Sequence, residues 1–188
     1  ASIRRARQAK TRFFFSERAA FIDMLCTDIR RGQRAAAKQN TRLAVRLNVF
    51  SDLPWERVAP ELFDEFRDVE FYDYTKSARR AGQIRKNYWV TLSRSEVNEE
   101  DCIRALEAAA NVAVVFADTG GAFAGSAAQR QRLPRKWHGF DVIDGDESDL
   151  RFQDVRGRKR GRVVGLRLKA ATVATRDTAI KSGFAVPV

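Results

Sequence analysis

One histidine, two cysteines, one methionine and four prolines are all that 188 residues contain of these types, and the scarcity excludes a good deal. Cys26, Cys102 and His138 cannot by themselves build a zinc ribbon, a cysteine-ligated iron–sulfur cluster or a two-histidine metalloprotease site within one chain. Cys26 follows Met24-Leu25, and Cys102 opens the helical pattern Cys102-Ile103-Arg104-Ala105-Leu106, so both read as small buried hydrophobes. No apolar run approaches the roughly 18 residues that span a bilayer, and no apolar stretch follows a basic start with a small-residue cleavage site. The expectation is a protein of the cytoplasm with no membrane partner.

Carboxylates are the scarcer charge. The 35 Lys and Arg exceed the 24 Asp and Glu by 11, and the excess is segregated. Residues 1–42 carry 11 basic and 3 acidic side chains, residues 43–128 carry 10 and 14, and residues 129–188 carry 14 and 7. Two basic flanks around an acidic middle can collect a polyanion and release its counterions, so the partner indicated is nucleic acid, DNA or RNA. The competing reading is a composition simply rich in arginine. Within the flanks, Arg4, Arg5, Arg7 and Lys10 lie on a helical pattern, and Arg156, Arg158, Lys159, Arg160 and Arg162 lie in a Gly-punctuated turn. These are the candidate nucleic-acid contacts.

The chain reads as one α/β domain over residues 1–188. A basic helical arm occupies 1–42, β/α repeats 43–116, a glycine-rich flexible loop 117–138, and short strands with a basic tail 139–188. Phe14, Phe21 and Leu25, with Phe15, Ile22, Cys26 and Ile29 beside them, predict one long amphipathic helix from Arg4 to Arg31, stopped by Gly32. Leu43, Val45, Leu47 and Val49 alternate with Ala44, Arg46, Asn48 and Phe50, which predicts a strand over 43–50. Pro54 to Phe66 reads as a helix and Val69–Tyr74 as a strand, followed by strand 88–92, a helix over 98–110 capped by Asn98 and stopped by Asn111, and strand 112–116. The connections are about long enough for parallel crossovers, so the core expected is a mainly parallel sheet, open or part of a barrel. Later strands fall near 139–143 and 162–168.

In parallel sheets the loops at the carboxyl ends of strands converge. Here those ends carry Asp52, Asp73, Lys76 and Arg94, with Ser93 beside them, as a polar strand-end site. Asp144, Asp146 and Asp149 are the carboxylates that could hold magnesium for nuclease or phosphodiesterase chemistry, the one cofactor left open. The alternative is a turn, since Asp144-Gly145-Asp146 suits one, and the turn is the reading preferred here. His138, between Trp137 and Gly139, could shuttle a proton, but no base, nucleophile and orienter stand together in the sequence, and packing is the simpler role.

The runs Arg46-Leu47-Asn48-Val49-Phe50-Ser51-Asp52-Leu53-Pro54-Trp55-Glu56, Phe71-Tyr72-Asp73-Tyr74-Thr75-Lys76, Val142-Ile143-Asp144-Gly145-Asp146 and Val163-Val164-Gly165-Leu166-Arg167-Leu168-Lys169-Ala170 resemble an uncharacterised α/β family carried by phages and plasmids. The resemblance spans residues 43–170. It implies a mobile-element origin and an α/β fold, and brings no established activity or catalytic residues. Members of that family carry a cysteine-bearing segment ahead of the first helix, which is not in this sequence. The expected function is a nucleic-acid-associated protein. A magnesium-dependent phosphodiesterase, an inhibitor or adaptor of another protein, and a phage structural subunit remain as alternatives.

Overall fold

The computed structural model describes residues 2–119, 132–154, 160–170 and 172–188. They fall into two compact units, Ala1–Val45 with Pro54–Glu70, and Arg46–Leu53 with Phe71–Val188. No helix among the described residues is long and apolar enough to cross a membrane.

The first unit is helical. The single helix expected from Arg4 to Arg31 is instead two, α1 (Ile3–Ser16) and α2 (Arg18–Lys38), separated at Glu17 by φ −133° and ψ 56°. Aromatic packing accounts for the break. Phe14 and Phe21 are seven residues apart, about 10.5 Å of rise on a straight helix, yet their ring centroids lie 5.4 Å apart, and Phe13 meets Phe21 at 5.6 Å. Bending at Glu17 lets these rings and Trp55, 5.8 Å from Phe14, share one core. Gly32 does not stop the helix either. It lies inside α2, where a Cβ would come within 3.0 Å of the Leu43 side chain, so its smallness serves packing. Residues Ala35–Ala37 belong to α2 as well.

Strand β1 (Ala44–Arg46) is shorter than the predicted 43–50, because the Asn48 amide turns away to the Asp73 carboxylate. The helix expected over 54–66 is split into α3 (Trp55–Val58) and α4 (Glu61–Glu65) by Pro60, which has no amide hydrogen to continue the first segment. Trp55, Leu62, Phe63, Phe66 and Val69 join Phe14, Cys26 and Ile29 as the buried core of this unit.

The second unit is a mostly parallel open sheet. Its strands are β2 (Glu70–Thr75, whose first residue belongs to the first unit), β3 (Gly82–Arg85), β4 (Tyr88–Ser93), β5 (Val112–Ala117), β6 (Lys136–Trp137), β7 (Phe140–Asp144), β8 (Val163–Arg167) and β9 (Val186–Pro187). The order runs β2-β4-β5-β8-β7-β6, with β3 beside β4 and β9 beside β5. β2/β4, β4/β5, β5/β8, β8/β7 and β5/β9 pair in parallel, while β3 and β6 are antiparallel additions. The expected parallel α/β core is therefore present. β3 and β6 were not foreseen, nor were β9 and the C-terminal helix α6 (Val173–Lys181).

Helix α5 (Glu99–Glu107) makes the β4–β5 crossover and packs Cys102, Ala105 and Leu106 on Leu92, Val112, Val114 and Val163. Asn98 stands at the N-cap position of α5 as expected, but its side chain makes no capping hydrogen bond. Its side-chain oxygen accepts instead from the Ser95 amide at 2.7 Å. Asn111 lies beyond the helix end and accepts from the Arg162 amide at 2.8 Å. A second core of Ala117, Leu168, Ala170 and Ala185 is covered by Ala179 and Ile180 of α6. Gly161 is required where it stands, since a Cβ there would lie 2.0 Å from the Ala110 carbonyl oxygen. Residues 120–131 of the glycine-rich segment, and Arg156, Arg158 and Lys159 of the basic turn, lie outside the described residues.

Candidate functional site at the carboxyl edge of the sheet

The polar residues predicted at the strand ends occupy one connected edge of the second unit. Asn48 is the organiser that sequence reasoning missed. It is 2% exposed, and its side-chain nitrogen donates to the Leu53 carbonyl at 2.9 Å and to Asp73 Oδ2 at 3.2 Å. Its Oδ1 accepts from Ser51 Oγ at 2.7 Å and from the Leu53 amide at 3.1 Å. The segment that leaves β1 is thereby folded around one amide.

Asp73 is fully buried, accepting from the Asn48 amide at 2.6 Å and from the Tyr88 hydroxyl at 2.9 Å. Burial pushes its carboxyl up to about 6 from an ordinary 3.8, against the pull of those hydrogen bonds and of Arg46 and Arg80. Asp52 accepts from Thr75 Oγ1 at 3.0 Å and from the Lys76 amide at 2.8 Å, and pairs with the Arg80 guanidinium. Arg80, also unforeseen, donates to the Leu53 carbonyl at 3.1 Å.

Lys76 reaches across the sheet edge to donate to Ser93 Oγ at 3.1 Å and to the Arg94 carbonyl at 2.8 Å. Lys76 is an exposed residue, yet partial desolvation of its amine lowers its pKa from 10.5, opposed by the charge of Glu96. Arg94 clasps Glu99 Oε2 through Nη2 at 2.7 Å and donates to the Gly183 carbonyl at 2.6 Å. The Arg94 bond holds Glu99 below the usual carboxylate range. His138 completes this string. Its Nε2 lies 3.1 Å from Glu99 Oε1, and its ring meets Trp137 edge-on at 4.4 Å. His138 and Gly139 both have positive φ, 47° and 78°, as a two-residue hairpin turn between β6 and β7 demands.

Next to this edge lies an open cleft of about 710 Å³, lined by Arg46, Tyr74, Ser93, Val115, the 145–149 turn, residues 166–169 and Phe184. Arg46 stacks its guanidinium 4.7 Å over the Tyr74 ring and donates Nε to the Asn48 carbonyl at 3.3 Å. The acidic turn forms one wall. Asp144 binds Arg167 through both oxygens at 2.7 Å, and Asp146 takes the Arg167 amide at 2.9 Å and faces Lys169 at 3.3 Å. Arg167 depresses the Asp144 carboxyl. The Asp149 carbonyl accepts the Arg151 amide at 2.9 Å. Among the described residues no three His, Cys, Asp or Glu side chains are grouped to hold a metal ion.

Arg4, Arg5, Arg7 and Lys10 are exposed on α1 of the first unit. Arg160 is exposed, with its guanidinium 4.4 Å over the Phe140 ring, and Arg162 is half-buried with its Nε shielded from solvent.

No curated protein and no solved structure matches the chain. A family model does, over residues 1–186, and the chain belongs to that uncharacterised gene-product family, Gene product 88.

Proposed function

We propose that this protein is a nucleic-acid-binding component of a phage or plasmid, and that α1 is its main phosphate-contacting element. The observation that supports this reading is the make-up of that helix. Arg4, Arg5, Arg7, Lys10 and Arg12 are all exposed along it, and no carboxylate lies between Ile3 and Ser16. Phe14 is its one buried residue, so the first three turns take little support from the core. A helix that is cationic and unsupported in this way gains most from a surface that supplies negative charge.

Binding of labelled duplex and single-stranded DNA and RNA, followed by fluorescence anisotropy over a salt series, tests it. Replacing Arg4, Arg5, Arg7 and Lys10 together by Gln is expected to weaken binding to all sequences alike. At roughly 0.9 counterions per phosphate contact on duplex DNA, the log–log salt slope should fall by about 3 to 4. An unchanged affinity and slope would remove α1 from the interface.

A further inference from the structure

We infer that Ser93 and Lys76 form a nucleophile–base pair for acyl transfer, acting on an ester or amide carbonyl in the cleft beside the carboxyl edge of the sheet. The sheet register builds the pair. Thr75 of β2 lies opposite Leu92 of β4, so the next residues in each strand direction, Lys76 and Ser93, are brought abreast from 17 positions apart. Ser93 lines the cleft, and Lys76 Nζ stands 3.1 Å from its Oγ, within the range a general base needs. The Arg94 carbonyl, 2.8 Å from the same nitrogen, orients it. A neutral amine satisfies both neighbours at once, donating one hydrogen to that carbonyl and turning its lone pair to the Ser93 hydroxyl. Lys76 is an exposed residue whose amine is partly desolvated against the sheet edge; that desolvation favours the neutral form over that of a lysine in water, while Glu96 works against it.

The walls select the substrate. Arg46, Arg167 and Lys169 are matched in the lining by Asp146, Glu147 and Asp149, and Asp144 stands behind Arg167. A cleft so balanced does not gather phosphodiesters, and a neutral or zwitterionic acyl compound fits it better. Arg46 lines the cleft, stacked on Tyr74 and bonded to the Asn48 carbonyl, and is the group available to face a developing oxyanion.

In the reaction, the Ser93 oxygen bonds to the carbonyl carbon as its proton passes to Lys76. Collapse of the tetrahedral adduct breaks the bond to the leaving alcohol or amine, which takes that proton. Water, deprotonated by Lys76, then bonds to the acyl carbon, the bond to the Ser93 oxygen breaks to release the acid, and Lys76 returns the proton to that oxygen. The inference is independent of the nucleic-acid reading, since α1 contributes nothing to the pair.

The test is labelling of the intact protein by a fluorophosphonate, which phosphonylates an activated serine with loss of fluoride, mapped by mass spectrometry. One adduct per chain on Ser93 is expected, absent in Ser93→Ala. Lys76→Arg keeps the positive charge and the donors but cannot supply a lone pair, so it should slow labelling on the order of 100-fold or more with the melting temperature held. If Lys76→Arg does not fold, Lys76→Gln takes its place. The wild-type rate should climb with pH and level off below 10.5, where Lys76 loses its proton. No adduct on Ser93 anywhere from pH 7 to 10, or an unimpaired rate in the folded Lys76 variant, overturns the inference.

Discussion

Charge is used differently in the two units. In the second, Arg80, Arg94, Arg151 and Arg167 are largely buried and each meets a carboxylate, of Asp52, Glu99, Asp154 and Asp144 respectively. In the first, α1 exposes five cations on a helix that has no carboxylate. A buried cation must be compensated, so its place is dictated by the fold. An exposed cation keeps its hydration and needs no buried counter-charge, so burial does not dictate its place. Segment totals blur this distinction. Residues 129–188 exceed neutrality by seven, yet Arg151 and Arg167 in that stretch are internal fittings rather than contact surface.

The comparison breaks most visibly at Arg151. Its side chain is 1% exposed, its Nη2 donates to the Gly145 carbonyl at 3.3 Å, and its Nη1 lies 3.2 Å from Asp154. The Asp154 carboxyl is raised by burial even with Arg151 beside it. Arg151→Met would leave that acid unpaired and should cost about 3–5 kcal/mol in urea unfolding. Adding Asp154→Leu should recover most of the loss. A single variant as stable as wild type would show that burial here does not demand the pair.

Asp73 supplies the next effect, and its sign is unusual for an acid. Below pH 3.8 the carboxyl is protonated in both folded and unfolded chains. As pH rises towards about 6 the unfolded chain ionises first, so stability falls, and above about 6 the loss is constant. At 1.36 kcal/mol per unit, the interval from 3.8 to about 6 amounts to about 3 kcal/mol. Asp73→Asn does not titrate, so its stability relative to wild type should improve by up to that amount between pH 4 and pH 7. A difference independent of pH would mean that the hydrogen bonds from Asn48 and Tyr88 outweigh burial.

Short apolar runs were legible in the sequence, whereas the period over 4–31 hid the break at Glu17 and the alternation over 43–50 outran β1. The apolar and aromatic runs over 69–74, 88–92 and 112–116 are visible without a partner, and these segments are parallel strands in the sheet. The candidate edge was half legible. Asp52, Asp73, Lys76 and Arg94 follow apolar runs and so announce strand ends, but Asn48 and Arg80 hold them through contacts 25 and 28 positions away. The one local sign of Asn48 was a polar side chain interrupting Leu47 and Val49. Helix α6 gave no signal because Val173, Ala174, Ala179 and Ile180 make no continuous apolar stripe, and β3 is too polar and too short to show a period. Pro60, by contrast, was a visible breaker inside the predicted 54–66 helix.

Arg167 marks the middle of the scale. Arg167→Gln forfeits the two-oxygen clasp on Asp144 and the contact with Asp146, while both acids keep some access to water. A loss of roughly 1–3 kcal/mol is expected, in the range of hydrogen bonds to charged groups. Because the clasp depresses the Asp144 carboxyl, its contribution is present above pH 3.8 and disappears as pH falls through the lower folded value. Wild type and variant should therefore converge in acid, and urea midpoints at pH 7 and pH 3 would show it.

The smallest stability effect belongs to α1, and it sharpens the comparison because the same variant is expected to have a large effect on binding. Gln in place of Arg4, Arg5, Arg7 and Lys10 removes four positive charges from an exposed helix without creating a cavity or stranding a buried acid. Arg4 with Arg7, and Arg7 with Lys10, are spaced at i, i+3, so relief of each like-charge pair offsets about 0.2–0.5 kcal/mol. Unfolding free energy should thus stay within about 0.5 kcal/mol of wild type or rise slightly, as surface changes away from packed features do. Thermal and urea unfolding of this variant beside Arg151→Met would place the two arginine populations at opposite ends of one scale. If the α1 variant instead lost more than about 1 kcal/mol, the contacts its cations make within the protein would carry stability. The contrast between buried, carboxylate-paired charge and exposed charge would then fail for this protein.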